Sequence, residues 1–416
     1  MAASFLAGLS YAEHFTSVLG LFIRPIQSEF GWSRSVIAGI HTTGRLIEAI
    51  ITPVVGSWLD RYGPRLMMPI GGIIVSAGML SVTQIDSLWE FYLYRGLLVA
   101  VGFSLMGYLV MDVTIMKWFT LKRGRALAVS HISGNISNIV TIPLSVFVIA
   151  AYGWRSMFLV FGVATCLLVP IPSAILMRRR PEDLGLHPDG IDPSGADGAD
   201  PTEKGPTDEK PPDLEPLWNR REVLMTRTFW LISACFAINS IAFQGINMSL
   251  APYIQDLGHS DILLAAVTTF RSITMATSTI IMGFIAERAH NKSIRLLPFM
   301  MQSAAVFFFL LGRNPIFLWL GVLLYACGAS GTYLVQEIIW VNCFGRVNLG
   351  LVRSLGYSIT FGFGALGPIG INAVFDIFGS YHLAFLTIIG LLCLAGIMVS
   401  AVKPPKASRY ARKGTG

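Results

Sequence analysis

Apolar residues along this chain run in blocks of about twenty, broken by short polar stretches, far longer than the roughly 4–8 residues of a buried strand. A membrane-spanning helix needs roughly 20 mainly apolar residues. Twelve blocks reach that length: 3–27, 34–58, 66–85, 88–116, 124–151, 154–177, 227–254, 260–285, 294–312, 315–342, 350–376 and 380–402. They predict an all-α polytopic membrane protein with twelve transmembrane helices, numbered 1–12 in chain order. Residues 178–226 break the pattern. That segment opens on Arg178-Arg179-Arg180 and continues rich in Pro, Gly, Asp and Glu, the composition of an acidic disordered linker. The organisation expected is a six-helix bundle at 1–177, the linker at 178–226, a second six-helix bundle at 227–402 and a basic tail at 403–416.

The polar residues that interrupt the blocks repeat. Gly56-Ser-Trp-Leu-Asp60-Arg61-Tyr-Gly63-Pro-Arg65 follows helix 2, and a weaker copy, Gly283-Phe-Ile-Ala-Glu287-Arg288, follows helix 8 at an offset of 227 residues. Upstream of each copy one arginine stands in mid-block, Arg45 and Arg271, offset by 226. A duplicated pattern with intramembrane charges at matching positions predicts a transporter built from two similar halves.

Composition narrows the class. The chain is 53% hydrophobic and 13% charged, with a mean hydropathy of +0.62, whereas soluble domains carry about 25% charged residues. The net charge of +7 would suggest nucleic acid in a soluble protein, but here basic residues must first be sorted by side. With both termini inside, 24 of the 31 Lys and Arg fall on inner segments. That bias predicts an integral protein of the plasma (cell inner) membrane with both termini cytoplasmic and no nucleic-acid partner. All five cysteines lie in apolar blocks at unrelated spacings, giving neither a disulfide framework nor a metal site. Phosphate loops, metal-ligand spacings and nucleophile–base constellations are absent, so the expectation is no cofactor, no metal and no enzyme activity.

Several stretches carry a family resemblance. Twelve helices in two halves with G-x-x-x-D-R-x-G-x-R after helix 2 resemble the major facilitator superfamily, although Leu66 stands where a second basic residue is usual. Arg24-Pro-Ile-Gln-Ser-Glu-Phe-Gly-Trp32-Ser-Arg34, Trp118-Phe119 with Lys122-Arg123-Gly124-Arg125, Phe344-Gly345-Arg346 and Phe375-Asp376-Ile-Phe-Gly379-Ser-Tyr381 resemble the branch of monocarboxylate transporters and bacterial oxalate/formate exchangers. Helix 5 lacks the Gly-Pro-Gly-Gly cluster of drug/proton antiporters, and the segment after helix 6 lacks the sugar-porter pattern Pro-Glu-Ser-Pro-Arg. The resemblance implies secondary transport of a small organic anion by alternating access, coupled to protons or to a counter-anion, by a monomer in the bilayer. Two rivals stand beside that reading: an efflux pump for amphipathic compounds and a non-transporting receptor or scaffold.

Candidate chemistry sits on the polar stripes. Arg45 lies ~15 Å into helix 2 at 1.5 Å per residue, and His41, Arg45, Glu48 and Thr52 share one face. A guanidinium matches a carboxylate with two parallel donors and keeps its charge. Arg45 therefore either receives substrate or bridges internally to Glu48. In the exchangers this chain resembles, an arginine of helix 8 binds the substrate, and Arg271 is the matching position. Adaptable donors expected to face the cavity are His41, Asn135 on helix 5 and Asn247 on helix 7, although helix–helix hydrogen bonding accounts for such residues equally well. The carboxylates placed for proton coupling are Glu48 and Glu13. Gly56, Asp60, Arg61, Gly63 and Arg65, with Glu287 and Arg288 in the second copy, read as a conformational latch. Asp60 is expected to meet the positive amino end of helix 11.

Overall fold

The computed structural model describes residues 2–10, 14, 16–119, 123–178, 185, 215–286, 292–345, 349–405 and 409–411. Helix 1 is assembled from Ala2–Leu9, Thr16–Leu19, a 3-10 turn at Gly20–Phe22, and Ile23–Phe30. Helices 2 and 3 are Arg34–Tyr62 and Pro64–Val82. Helix 4 joins Leu88–Phe91, a π segment at Tyr92–Leu98, Val99–Met106 and Tyr108–Trp118. Helix 5 is Arg123–Tyr152, and helix 6 joins Trp154–Leu168 to Pro170–Leu176. The second half repeats the series with helices 7 to 10 at Arg227–Asp256, Asp261–Ala286, Lys292–Leu310 and Pro315–Phe344. Helix 11 joins Leu349–Gly364 to Leu366–Phe378, and helix 12 is His382–Ser400. Seven of these, helices 3, 4, 6, 7, 10, 11 and 12, are long and apolar enough among the described residues to cross a membrane on length and composition alone.

Turn chemistry, not hydropathy, sets the helix ends. Helix 2 runs four residues past its predicted end at 58 because the stop is Gly63, at φ 75, followed at once by Pro64. Glycine adopts that left-handed backbone without a Cβ clash, and proline pre-sets the first residue of helix 3. At its other end Ser33 caps helix 2, its hydroxyl accepting from the Val36 amide.

The segment 178–226, expected to be a linker, carries regular structure at its carboxyl end. A strand β1 (Glu215–Leu217) pairs antiparallel with β2 (Arg409–Ala411) of the basic tail. Arg220–Met225 then forms a short helix, with Asn219 and Glu222 completing a reciprocal capping box. Trp218 is buried between them and meets Phe344 of helix 10 edge-on at 5.2 Å between ring centres. One buried indole supplies the apolar anchor that a composition-based reading of the segment misses.

Each half packs by the same plan. Helix 3 lies against helices 4 and 6, helix 2 against 4, and helix 1 against 5; six helices on, 9 meets 10 and 12, 8 meets 10, and 7 meets 11. Between the halves the contacts are helix 1 with 7, helix 2 with the Leu366–Phe378 segment of helix 11, and helix 5 with 8. Large apolar side chains such as Phe147, Ile281 and Ile397 stay exposed on the outside, as a bilayer-facing surface requires. The side where the chain starts and ends is called the terminal face below, and the other the opposite face. Helices 1 and 7 meet backbone to backbone at one point: a Cβ on Gly20 would stand 2.3 Å from the Met248 carbonyl. Thr42 of helix 2 donates to the Ala365 carbonyl of helix 11 at 2.5 Å.

Within the second half helices 7 and 11 approach through Gly245 and Gly367, where a Cβ on Gly367 would meet the Ile241 carbonyl at 2.1 Å. Gly370, one turn on, has nothing within 4 Å. Gly367→Ala should therefore destabilise the fold by about 1–3 kcal/mol through overpacking. Gly370→Ala should be neutral or stabilising by up to about 1 kcal/mol. Thermal melting of the two purified variants checks the pair, and equal melting temperatures would reject this contact.

Candidate functional site

The buried ionisable side chains collect where the helices carry their few polar stripes. On helix 2, Arg45 Nη1 and Glu48 Oε2 are 3.2 Å apart, the i,i+3 pair that the stripe predicts. The same carboxylate oxygen lies 3.3 Å from Nε2 of His14 on helix 1. His41, one turn before Arg45, is 2% exposed, and it faces Arg45, His14, Arg95 of helix 4 and Gln244 of helix 7. Arg95 is likewise 2% exposed and lies within electrostatic reach of Glu48 and His14. Its position follows from the π segment at Tyr92–Leu98, a wide turn of a kind frequent at functional sites.

Helix 7 links this cluster to the second half. Gln244 faces His41, and three residues on Asn247 accepts through Oδ1 from Nη1 of Arg271 on helix 8. Asn247 is fixed in turn by its own amide, which donates to the Phe243 carbonyl at 2.7 Å. Tyr325 of helix 10 donates to that same carbonyl at 3.3 Å and faces Arg271. Arg271 sits ten residues into helix 8, ~15 Å from its start, and is 5% exposed. No carboxylate pairs with it among the described residues. Its one hydrogen-bond acceptor is a neutral amide.

Among the described residues the first half thus sets two arginines (Arg45, Arg95) and two imidazoles beside one carboxylate (Glu48), and Arg271 of the second half stands across helix 7 from them. Charge at this depth costs about 2.5–3.5 kcal/mol per residue on insertion scales and is kept where a cavity or a partner offsets it. Arg45 Nε is also buried with no hydrogen-bond acceptor among the described residues. Such a set can hold an anion. Towards the opposite face the site is sealed: the gap beside His41 and Arg95 is only about 10 Å³ and is closed by Phe22, Ile26, Ile37 and Phe91. A larger cleft of about 350 Å³ opens at the opposite face between helices 1, 5, 7 and 8, lined by Arg24, Ser28, Gln255 and Asp261. None of the three site arginines borders it.

Of the residues singled out in the sequence, the structure brings His41, Arg45 and Glu48 into one cluster and Arg271 and Asn247 into contact. The internal bridge from Arg45 to Glu48 is present, but Glu48 is shared with His14. The side chains of Glu13, Asn135, Asp60, Glu287 and Arg288 lie outside the described residues. Of the remaining latch residues, Gly63 makes the tight turn expected of it. A Cβ on Gly56 would meet no atom of the described residues within 4 Å. Arg61 lies over Tyr62 beside it, and Arg65 donates to the Ala174 carbonyl of helix 6 at 2.9 Å. Glu337 near the end of helix 10 is held inside its own half by Arg353, at 2.7 Å, and by the Tyr357 hydroxyl.

Sequence reasoning passed over Arg95 and Tyr325; Gln244 stands with Asn247 among the helix 7 polar residues that the sequence offers as adaptable donors, and His14 is a residue that the sequence reads as core or lining. Arg95 carried a usable signal, an arginine seven residues inside an apolar block. The others are ordinary residues whose role appears only when helices 1, 7 and 10 are brought together.

Two six-helix halves related by repeated packing, with charged residues at mid-depth on the helices between them, define a membrane transporter. The sequence model of the Major Facilitator Superfamily matches residues 3–342, and the chain belongs to that family. It is 27% identical to mouse monocarboxylate transporter 11 over 41% of its length, and 27% identical to golden hamster (Mesocricetus auratus) monocarboxylate transporter 2 over 46%. An oxalate:formate antiporter of Oxalobacter formigenes is 22% identical over 64% of the chain. The matches span 37%, 40% and 58% of those relatives' own lengths. Among solved structures, a D-xylose–proton symporter superposes with a TM-score of 0.72 at 12% identity, covering 97% of both chains. The nucleoside transporter NupG gives 0.74 at 11% identity, covering 96% of this chain and 98% of that one. Likeness at such identity concerns the fold alone.

Removing the one acid of the cluster should cost stability. Glu48→Gln leaves Arg45 and Arg95 facing each other across neutral groups. Breaking a buried pair costs about 3–5 kcal/mol, and partial exposure of Arg45 brings the expected loss to about 1–3 kcal/mol. Thermal melting at low ionic strength checks it; an unchanged midpoint would mean that solvent already neutralises the arginines.

Proposed function

We propose that the protein is a secondary transporter of a small organic anion bearing a carboxylate, working by alternating access. The observation that carries this reading is Arg271, a mid-depth guanidinium whose only hydrogen-bonded acceptor among the described residues is the Asn247 amide. A carboxylate arriving there would replace a neutral partner by a charged, bidentate one. Arg45 and Arg95 stand on the first half and Arg271 on the second, so an anion held by both would lie between the halves. The monocarboxylate and oxalate:formate relatives favour the same substrate class. The basic bias of the terminal-side segments supports a plasma-membrane protein with both termini in the cytoplasm, and on that reading the described state is shut to the outside.

Coupling falls to the Glu48–His14 pair. One carboxylate oxygen serves both Arg45 and His14, so an anion that draws Arg45 away frees that oxygen for the proton shared with His14. Transport of anion and proton together follows from this exchange of partners. At the terminal face, Asp60 is the residue proposed to latch helix 2 to the amino end of helix 11 once that side closes.

A thermal-shift screen of mono- and dicarboxylates tests the substrate class, since a ligand at 100 times its Kd adds about 2.7 kcal/mol. Arg271→Lys should remove most of that shift and most uptake in proteoliposomes, because a point charge cannot replace the planar fork. Wild-type uptake kinetics in the lysine variant would exclude the role.

Glu48→Gln separates coupling from binding. Accumulation driven by a pH gradient should disappear while exchange of labelled anion for unlabelled anion persists. Unaltered pH-driven accumulation in the glutamine variant would make Glu48 structural and move the role to Glu13.

A further inference from the structure

Helices 2 and 11 lie side by side and antiparallel, and they end on the same pattern. Helix 2 closes with Asp60-Arg61-Tyr62-Gly63 and helix 11 with Asp376-Ile377-Phe378-Gly379. Both glycines are left-handed, at φ 75 and φ 66. Each aspartate therefore stands at the same place in its helix, one at either face of the molecule.

At the opposite face the structure shows what that aspartate does. Asp376 Oδ1 accepts from the Arg34 amide at 3.1 Å and Oδ2 from the Ser35 amide at 2.8 Å. These are the first two amides of helix 2, which have no acceptor within their own helix. A carboxylate there also meets the positive end of the helix dipole. The residue that opens helix 2 adds a second bond to the other half. Arg34 forks onto Asp256 of helix 7 at 2.5 and 2.8 Å, donates to the Tyr381 hydroxyl at 2.8 Å and lies 3.9 Å above the Phe375 ring. Its Nε donates to Gln27 of helix 1 at 3.0 Å, and its side chain is 5% exposed. Tyr381 passes the network on to Asn372, whose amide reaches Ser249 of helix 7. One turn of helix 2 is thus bound to helices 7 and 11 and to the start of helix 12.

We propose that Asp376, backed by the Arg34–Asp256 pair, is the latch that keeps the opposite face shut. Helices 2 and 11 then carry two mirror-related latches of one design. Asp376 of helix 11 holds the amino end of helix 2 in the state described here. Asp60 of helix 2 holds the amino end of helix 11 in the alternate state. The Asp60 arm rests on the terminal-face latch proposed above; the Asp376 arm rests on the bonds just described. Because the two helices rock as rigid elements, engaging one latch separates the other, and each aspartate stabilises the opposite conformation.

The two aspartates should therefore have opposite effects on one measurement. Ala38 is buried one turn inside Arg34, so Ala38→Cys in a cysteine-free background, labelled with a maleimide in nanodiscs without substrate, reports opening of the opposite face. Asp376→Asn should speed labelling at least fivefold, Arg34→Gln likewise, and Asp60→Asn should slow it at least twofold. Combining Asp60→Asn with Asp376→Asn should return the rate towards that of the parent. Asp376 is exposed and the change isosteric, so folding is preserved; Ala305→Cys, buried inside the second half, serves as the control. If Arg34→Gln fails to fold, exchanging the charges with Arg34→Asp and Asp256→Arg should restore slow labelling. Unchanged labelling in Asp376→Asn, or equal acceleration at the control cysteine, overturns the latch. Acceleration by Asp376→Asn without slowing by Asp60→Asn leaves the opposite-face latch standing and rejects its mirror partner.

Discussion

Keeping a guanidinium away from water in a molecule this apolar requires a compensating partner, and the architecture follows from how each arginine meets that demand. Arg34 is compensated by Asp256, across the two halves. Arg45 is compensated by Glu48, within one helix. Arg271 has, among the described residues, the Asn247 amide. These three solutions have different consequences. A bond across the halves ties a conformation. A bond within one helix travels with it through every conformation. A charge met by a neutral amide keeps its capacity for a charged partner. The same low-dielectric setting that makes an unpaired charge costly makes its neutralisation by a ligand strong.

Much of the fold was legible because a bilayer imposes one rule: every backbone group must be satisfied inside its own segment, so apolar blocks of the right length become helices. What hydropathy could not give were the interruptions. The 3-10 turn at Gly20–Phe22 and the π segment at Tyr92–Leu98 leave no mark on an apolar average. The end of helix 2 at Gly63 and the anchoring of Trp218 against Phe344 are set by a single glycine and a single indole. The site was half legible for a related reason. His41, Arg45 and Glu48 lie on one helix, so their spacing alone puts them together. Arg271 stood out as a lone charge. The partners that complete the set come from other helices: His14, Arg95, Gln244 and Tyr325. Which helix faces which is a property of the packing, and no local spacing encodes it.

The equivalence of the halves extends from packing to chemistry, but imperfectly. Helices 2 and 8 each place an arginine at mid-depth, yet the first has an acid three residues on and the second does not. Duplication thus supplied two cationic positions, and divergence left one of them neutralised internally. A site built this way is polarised: one wall holds its own counter-charge and a titratable neighbour, while the other offers a bare cation steadied by an amide.

The seam at Gly20 and Met248 has a kinetic meaning. Backbone lies on backbone at that point, and the side chains that cross between the halves include Thr42 and Arg34. Surfaces that interlock must extract each projection before they part, and their activation barrier grows with every one. The Gly20–Met248 contact adds nothing to that toll, which falls on the few side chains that do cross. The waiting time between conformations is then governed by a few polar bonds at the rim, and the turnover of the machine becomes tunable by single charge changes far from the place where cargo sits.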